Sequence, residues 1–256
     1  MREMLEVKHL TYEVTENGKP RRLVDDVSFS VGDGEMLVIT GPNGGGKSTI
    51  AKLLMGIERA DSGEILLDGR DLSGLNVNER AAAGLGYAFQ QPPAFKGMTV
   101  ERLLQLAAGR ELPEAVCCDL LSSVGICARE YLKREADATL SGGERKRIEI
   151  ATVLAKSHKI CIFDEPEAGI DLWSFSMLVK RFEGIHRTKQ ESLLLISHQE
   201  KIIRMADRIL IVDGGRIQDG GSREEMTAKL FQESCDCACM GGGKGDGGCE
   251  AGCGSR

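Results

Sequence analysis

The most specific chemical pattern in the sequence is a glycine-rich segment at residues 41–48, which reads Gly-Pro-Asn-Gly-Gly-Gly-Lys-Ser. It follows the apolar run Met36–Ile39, which is typical of a strand buried on both faces, and it precedes a predicted helix over Ser48–Met55. Glycines let backbone N–H groups turn inward around phosphate oxygens, and the start of a helix adds positive potential. We expect Lys47 to reach the β- and γ-phosphates of a nucleotide, and the Ser48 hydroxyl to bind Mg²⁺.

A glycine turn before an ordinary helix is the alternative interpretation of this segment. The preceding strand, the spacing, the lysine and the serine together favour phosphate binding over that alternative. The predicted phosphate-binding residues are Gly41, Pro42, Asn43, Gly44, Gly45, Gly46, Lys47, Ser48 and Thr49.

Two acidic residues, Asp164 and Glu165, directly follow a second apolar run, Ile160–Phe163. Ligand-binding groups of open α/β sheets lie at the carboxyl ends of the strands, which is where these acids are predicted to be. Asp164 suits the coordination shell of Mg²⁺, and Glu165 is placed to orient and deprotonate an attacking water. A solvated acidic turn is the alternative, and the phosphate-binding segment upstream disfavours it.

A second candidate anion site lies at Ser141, Gly142, Gly143 and Glu144, directly before a predicted helix. Ser141 can act as the N-cap, and the free N–H groups of the two glycines can bind an anion. Taken alone, this segment is more typical of a plain helix start. Its position between the glycine-rich segment and the acidic pair favours a second phosphate site.

The elements around these residues predict an α/β fold with a mixed or parallel sheet, an antiparallel β subdomain and a helical insert. Residues 5–31 show strand-like alternation, and Ser62–Gly69 predicts a hairpin edge, whereas residues from about 91 to 143 have helical spacing. Later strands alternate with helices, which indicates parallel pairing with crossovers. The later predicted elements are helices over Glu144–Ala155, Leu172–Phe182 and Glu200–Met205 and strands over Leu193–Ile196 and Ile209–Val212.

Charge and hydropathy narrow the range of partners. The 256 residues carry a formal net charge of -6, which argues against nucleic acid as a partner because a phosphate backbone requires a basic face. No stretch reaches the roughly 18–20 consecutive apolar residues of a membrane-spanning helix. The first residues also lack the apolar run of a secretory signal. We therefore expect a cytoplasmic protein that does not insert into the membrane.

The nine cysteines divide into a scattered group and a terminal group, which predicts a domain over residues 1–233 and a flexible tail over residues 234–256. Thiolates bind zinc and iron–sulfur clusters, and glycine-rich spacing would let the tail cysteines converge on such a ligand. A reduced tail without a ligand is an equal alternative. Within the domain, Cys161 is expected to be a small apolar core residue. The tail cysteines are Cys235, Cys237, Cys239, Cys249 and Cys253.

Together these motifs resemble the ATP-binding cassette (ABC) family over about residues 4–221, and they occur in the order of that family. The resemblance implies that Tyr12 stacks on adenine and that Gln90 senses the γ-phosphate and the metal. Because position 91 is also glutamine, a shift of one place is possible for that sensor. His198 resembles the histidine that contacts the γ-phosphate, and residues 168–171 resemble the loop after the acidic pair.

Membership of this family would imply a MgATP-hydrolysing enzyme with ATP and Mg²⁺ as cofactors. Members bind two ATP molecules between two head-to-tail subunits, with one chain's glycine-rich loop facing the other chain's signature helix, here Ser141–Glu144. An ATP-dependent homodimer contact follows from the resemblance. A non-hydrolysing regulatory cassette is disfavoured because Glu165 is present.

Two segments, residues 86–92 and residues 164–171, are similar to SufC-type ATPases of iron–sulfur cluster assembly, which work with a SufB-like scaffold protein. A third detail is the signature helix from Ser141 to Ile150, which departs from transporter subunits because they usually have glutamine at the first glutamate and an alanine-rich helix face. The similarity predicts that ATP binding drives a conformational change in a scaffold partner. The alternative is the ATP-binding subunit of an ABC membrane transporter, whose partners are membrane subunits.

Overall fold

The computed structural model describes residues 2–16 and 18–232. Its strands are β1 (Glu3–Glu16), β2 (Lys19–Gly32), β3 (Met36–Thr40), β4 (Ser62–Leu67), β5 (Arg70–Asp71), β6 (Leu85–Ala88), β7 (Ile160–Asp164), β8 (Ser192–Ile196), β9 (Arg208–Asp213) and β10 (Arg216–Ser222). Its helices are α1 (Lys47–Met55), α2 (Val77–Ala83), α3 (Val100–Ala108), α4 (Glu114–Ser123), α5 (Ala128–Tyr131), α6 (Gly142–Leu154), α7 (Leu172–Thr188), α8 (Glu200–Ile203) and α9 (Arg223–Gln232).

A six-stranded mixed sheet forms the centre of the fold, in the order β10-β9-β3-β8-β7-β6. Every pairing in it is parallel except that of β10 with β9. Strands β3, β7 and β8 are buried along their whole length, which is why their sequences are continuous apolar runs without alternation. Since β3 and β7 both pair in parallel with β8, their carboxyl ends lie at the same edge of the sheet.

A second, antiparallel sheet has the order β2-β1-β4-β5. Its buried residues share one hydrophobic core with α1 and with one face of the central sheet, so α1 is packed between the two sheets. The other face of the central sheet packs against α6, α7 and the helices of residues 100–131. This arrangement confirms the predicted fold class.

The region predicted to be helical from about residue 91 begins with an irregular segment, and its first helix, α3, begins at Val100. Pro92 and Pro93 have fixed φ angles and no N–H donors, which opposes a helix there. Thr99 caps α3 by accepting a hydrogen bond from the Arg102 N–H group. No helix in residues 2–16 and 18–232 is long and apolar enough to cross a membrane.

A buried arginine from α2 holds the end of α1. Arg80 is 4% exposed, and its Nη1 donates to the carbonyls of Leu53 and Leu54 at 2.7 and 2.9 Å, while its Nε donates to Leu75 at 3.0 Å. Leu53 and Leu54 lie in the last turn of α1, where carbonyls lose their i+4 partners, although the Leu53 carbonyl also accepts from the Gly56 N–H at 3.1 Å. Arg80 therefore fixes the position of α1 relative to α2.

We predict that Arg80→Met destabilises the protein by about 2–4 kcal/mol, because three carbonyls lose a charged donor while the apolar stem is kept. Urea unfolding without nucleotide measures the change. The matched control is Arg102→Met, which alters an exposed arginine on α3 and should cost less than about 0.5 kcal/mol. Equal stability of the two variants would contradict the role given to Arg80.

Candidate nucleotide-binding site

The glycine-rich loop joins the end of β3 to the start of α1. Gly46 caps α1 in the left-handed region with φ 102°, and a Cβ atom there would lie 2.5 Å from the Leu23 carbonyl oxygen, so the position requires glycine. The Lys47 Nζ donates to the carbonyls of Gly41 and Pro42 at 2.7 and 2.8 Å. The loop is therefore closed around the lysine, and the first N–H groups of α1 point out of the helix end.

A polar cavity of about 480 Å³ opens beside this loop. Lys47 is 5% exposed at its wall, and burial lowers the pKa of its ammonium group. A cation together with a helix N-terminus makes the cavity suited to an anion. The lining residues are Arg21, Leu23, Asn43, Gly44, Gly46, Lys47, Ser48, Thr49, Gln90 and Glu165.

Ser48 lines this cavity and bonds Asp164, which lies behind it at the end of β7. The Ser48 Oγ donates to Asp164 Oδ1 at 2.9 Å, and the Tyr87 hydroxyl donates to Oδ2 at 3.3 Å. Asp164 is only 1% exposed, and burial raises its pKa. A divalent cation beside it would offset that cost, and hydroxyl and carboxylate oxygens are the ligands that Mg²⁺ prefers. The donor set therefore fits a magnesium ion.

The carboxylate predicted to be the base lies next to the predicted sensor. Gln90 Nε2 donates to Glu165 Oε2 at 2.8 Å, and both residues line the cavity, whereas Gln91 is not among its lining residues. Glu165 has φ 45°, an uncommon conformation for a non-glycine residue, and its N–H group donates to the carbonyl of Ile196 at 3.0 Å. The strand pairing thus holds Glu165 at the cavity.

His198 lies beside the same loop but in a neighbouring cavity of about 440 Å³, which Gly41, Pro42 and Asn43 also line. Its backbone N–H donates to Glu167 Oε1 at 3.3 Å. Burial lowers the pKa of its imidazole, and the charge of Lys47 lowers it further. Gly45 lines neither cavity, and its N–H group donates to Pro42 at 3.2 Å within the loop.

The signature segment forms the start of α6. Ser141 and Glu144 make a reciprocal capping box, and the Tyr131 hydroxyl also donates to Glu144, which lowers the pKa of that carboxyl group. Gly143 lies against the loop of residues 168–171, and a Cβ atom there would be 2.3 Å from the Gly169 carbonyl oxygen. None of the four signature residues lines either cavity beside the glycine-rich loop.

Tyr12 is not brought to the cavity either. It lies on β1, half-buried, and its hydroxyl donates to Glu58 Oε2 at 2.9 Å. Arg21 and Leu23 of the neighbouring strand β2 line the cavity instead. The adenine contact of Tyr12 stays a prediction.

Sequence reasoning missed two polar groups near the site. Tyr87 bonds the carboxylate of Asp164, and burial raises the pKa of its phenol. Glu167 is a half-buried carboxylate that accepts from the Ser197 hydroxyl at 2.7 Å, and desolvation raises its pKa. The only signal for them was their position within or beside the quoted motifs. Cys161 is fully buried in β7, as predicted.

The tail cysteines Cys235, Cys237, Cys239, Cys249 and Cys253 lie outside the described residues. Within residues 2–16 and 18–232, no group of three or more His, Cys, Asp or Glu side chains is arranged to hold a metal ion. The tail's zinc or iron–sulfur ligand therefore stays a prediction.

An apolar groove of about 410 Å³ is lined by residues on either side of Gln90 in the chain, Phe89 and Pro93 among them. Among its lining residues, Phe89, Phe95 and Leu106 are large apolar side chains exposed by 38%, 37% and 50%. Single exposed apolar residues are normal, but this contiguous set is typical of a docking surface. Phe89 directly precedes Gln90, so neighbouring residues of the chain line the groove and the polar cavity.

A glycine-rich loop before a helix, a buried aspartate on the loop's serine and an adjacent glutamate define a site of the nucleoside-triphosphatase class. The family model described as "ABC transporter" matches residues 24–168. An uncharacterized ABC transporter ATP-binding protein of Methanocaldococcus jannaschii is 35% identical over 223 residues, which is 84% of this chain and 88% of that protein. The lipopolysaccharide export ATP-binding protein LptB of Haemophilus influenzae is 34% identical over 81% of this chain and 88% of its own length.

Two solved structures have the same fold as this chain. The ATP-binding cassette MJ0796, a dimer bound to ADP and phosphate, has a TM-score of 0.78 at 19% identity and covers 86% of this chain and 99% of its own. A bacterial Atm1-family ABC exporter with ATP bound has a TM-score of 0.78 at 26% identity, covering 91% of this chain and 41% of its own. The chain belongs to the ABC transporter family, and it is an ATPase that uses ATP and Mg²⁺.

The two adjacent signature glycines give a matched pair for a stability test. A Cβ atom at Gly143 would overlap the Gly169 carbonyl, whereas a Cβ atom at Gly142 meets nothing within 4 Å. We predict that Gly143→Ala costs about 1–3 kcal/mol by overpacking, while Gly142→Ala changes stability by less than about 0.5 kcal/mol. Urea unfolding compares them, and equal effects would contradict the close approach.

Proposed function

We propose that this ATPase is the ATP-binding subunit of an ABC membrane transporter, in which two copies close around two ATP molecules. The observation that carries the proposal is the apolar groove lined by Phe89, the residue before Gln90, which offers a partner a docking surface one residue along the chain from the lining of the nucleotide cavity. Phe89 lines the groove, and Gln90, the next residue, bonds Glu165. A membrane subunit seated there would sense whether ATP or ADP occupies the site.

The residues of the polar cavity take the following proposed roles. Lys47 and the loop amides bind the β- and γ-phosphates, and Ser48, Asp164 and Gln90 hold the magnesium ion. Glu165 orients and deprotonates the attacking water, and its contact with Gln90 at 2.8 Å supports that placement. The position of His198 beside the loop supports a contact with the γ-phosphate.

The separation of the two anion sites supports a two-chain enzyme. The signature residues Ser141–Glu144 begin a helix that lines neither cavity beside the glycine-rich loop. A helix N-terminus attracts phosphate, so a second copy could supply it across the nucleotide. The similar cassette MJ0796 is described as a dimer in a post-hydrolysis state.

The names of the relatives favour a transport function, but they give different transported substances. Their names include lipopolysaccharide export, sulfate/thiosulfate import and methionine import. The chain spans 59% of the length of the sulfate/thiosulfate proteins and 56% of the methionine protein. We therefore assign no cargo, and we place the subunit at the cytoplasmic side of the membrane, where ATP is supplied.

A SufC-like role with a SufB-like scaffold is the second candidate. The specific observation in its favour is α6, where Glu144 replaces the commoner glutamine and Lys146 and Glu149 are buried charges on a helix face that is alanine-rich in transporters. The relatives named above support the transporter better. In the genome, a gene for a multi-span permease beside this gene would favour the transporter, and a gene for a SufB-like protein would favour the scaffold.

We predict that Glu165→Gln binds MgATP normally but hydrolyses it at least about 100-fold more slowly, because the amide cannot accept the water's proton. Size-exclusion chromatography with MgATP should show a stable dimer of this variant. Lys47→Ala is the control, since it should lose nucleotide affinity and remain a monomer. Normal turnover by Glu165→Gln would show that another group is the base.

We predict that affinity purification from detergent-solubilised membranes of the source organism recovers a multi-span membrane protein with this chain. Leu106→Asp should abolish that recovery because it places a charge in the groove, whereas Val116→Asp, at a similarly exposed valine outside the groove lining, should not. If both variants retain the membrane protein, the groove is not the docking site. Recovery of a soluble scaffold that depends on Leu106 would instead favour the iron–sulfur role.

A further inference from the structure

Helix α6 carries two buried charges, Lys146 and Glu149, which no motif in the sequence analysis explained. They are 1% and 8% exposed, and lysine and glutamate are almost never so buried unless they are paired. Their Nζ and Oε2 atoms are 3.9 Å apart, one helical turn from each other. Burial lowers the pKa of Lys146 and raises that of Glu149 to about 7, so burying these two charges carries a cost.

The pair holds both polar backbone groups of one residue, Phe89. Lys146 Nζ donates to the Phe89 carbonyl, and Glu149 Oε1 accepts from the Phe89 N–H group at 2.9 Å. Lys146 also donates to the carbonyl of Asp164 at 2.9 Å. A single turn of α6 therefore fixes the peptide that follows β6 and joins it to the end of β7. Hydrogen bonds with ionised groups are about twice as strong as neutral ones.

Phe89 lines the apolar groove, and the next residue, Gln90, lines the polar cavity. Its ring lines the groove and packs edge-on to Tyr87, with ring centroids 4.8 Å apart. The residue after it, Gln90, donates to Glu165 at 2.8 Å. A change in the position of the Phe89 peptide must therefore move Gln90 relative to Glu165.

We propose that Lys146 and Glu149 are positioning residues that fix the Phe89 peptide and, through it, place Gln90 on Glu165. Neither lines the polar cavity, although Glu149 lines the apolar groove, and they act through the backbone of the loop. The proposal rests on the proposed function of Gln90 and Glu165. It extends that function by assigning to α6, the signature helix, the alignment of its own chain's glutamine.

The competing explanation is that Lys146 and Glu149 only stabilise the fold. Replacing both charged residues with apolar ones distinguishes this explanation from the proposal. Removing one partner would leave the other charge buried and unpaired, whereas replacing both with apolar residues of similar size is often neutral for stability. The apolar residues Ile148 and Ile150 of α6 are 2% and 0% exposed and would still anchor the helix. The double variant Lys146→Met/Glu149→Leu therefore removes the hydrogen bonds while keeping the packing.

We predict that this double variant has a kcat for ATP lowered by about 10-fold or more, since small misplacements at an active site are costly. Its affinity for MgATP should stay within about threefold, and it should remain folded at the assay temperature, although it loses some stability because backbone groups of Phe89 and Asp164 lose their side-chain partners. Amide hydrogen exchange of a peptide covering residues 86–92 should become faster. The matched control is Lys133→Met/Glu101→Leu, which removes a more exposed ion pair of 2.6 Å and should change none of these.

Full kcat in the double variant would overturn the proposal. A double variant that does not fold would also count against it, because the pair would then serve the fold and not the placement of Gln90. Gln90→Ala distinguishes two kinds of failure. If it lowers kcat and the double variant does not, only the role of the pair fails, whereas an unchanged kcat in Gln90→Ala removes the proposed function of Gln90 as well.

Discussion

The hydrogen bond between Ser48 and the buried carboxylate of Asp164 is the contact on which the rest of the site depends. It joins residues 116 positions apart, at the start of α1 and at the end of β7. The two meet because β3 and β7 pair in parallel with the same strand, β8, so that Ile39 and Asp164 both align with Ile196. A buried carboxylate needs a counter-charge or hydrogen-bond donors. Ser48 and Tyr87 supply two donors to Asp164, and the oxygens of Ser48 and Asp164 are of the kind that binds Mg²⁺.

The same constraint explains why the loop closes as it does. Burial of α1 between the two sheets fixes where its first turn begins, and Arg80 fixes where it ends. Lys47 then occupies the centre of the loop through its two bonds to loop carbonyls. The proposed phosphate binding would therefore require little reorganisation of the backbone, because the hydrophobic core already holds the start of α1 in place.

Much of the fold was predictable where the local pattern and the tertiary environment agree. Strands β3, β7 and β8 are buried on both faces, and their apolar runs indicated this directly. The short elements α2, β6, β10 and α9 were missed because helices of seven and ten residues and glycine-containing strands lack a distinctive period. Helix α7 extends to Thr188, six residues beyond its predicted end, because Phe182 and Ile185 continue its buried face.

Some residues of the site were predictable from the sequence and others were not, and the difference has a physical cause. Motif residues such as Ser48 and Asp164 are tied to strand ends, so their spacing along the chain predicts their meeting. Lys146 and Glu149 are not, since a charged pair on a helix usually indicates a solvated face, and only the packing of α6 against β6 and β7 buries it. Burying those charges is costly, so their position on α6 calls for a function. Helix α6 is also the helix that begins with the signature residues. If the start of α6 contacts a nucleotide bound by a second chain, as proposed above, that contact would act on the same helix that holds Phe89. Closure of the proposed dimer would then be coupled to the alignment of Gln90.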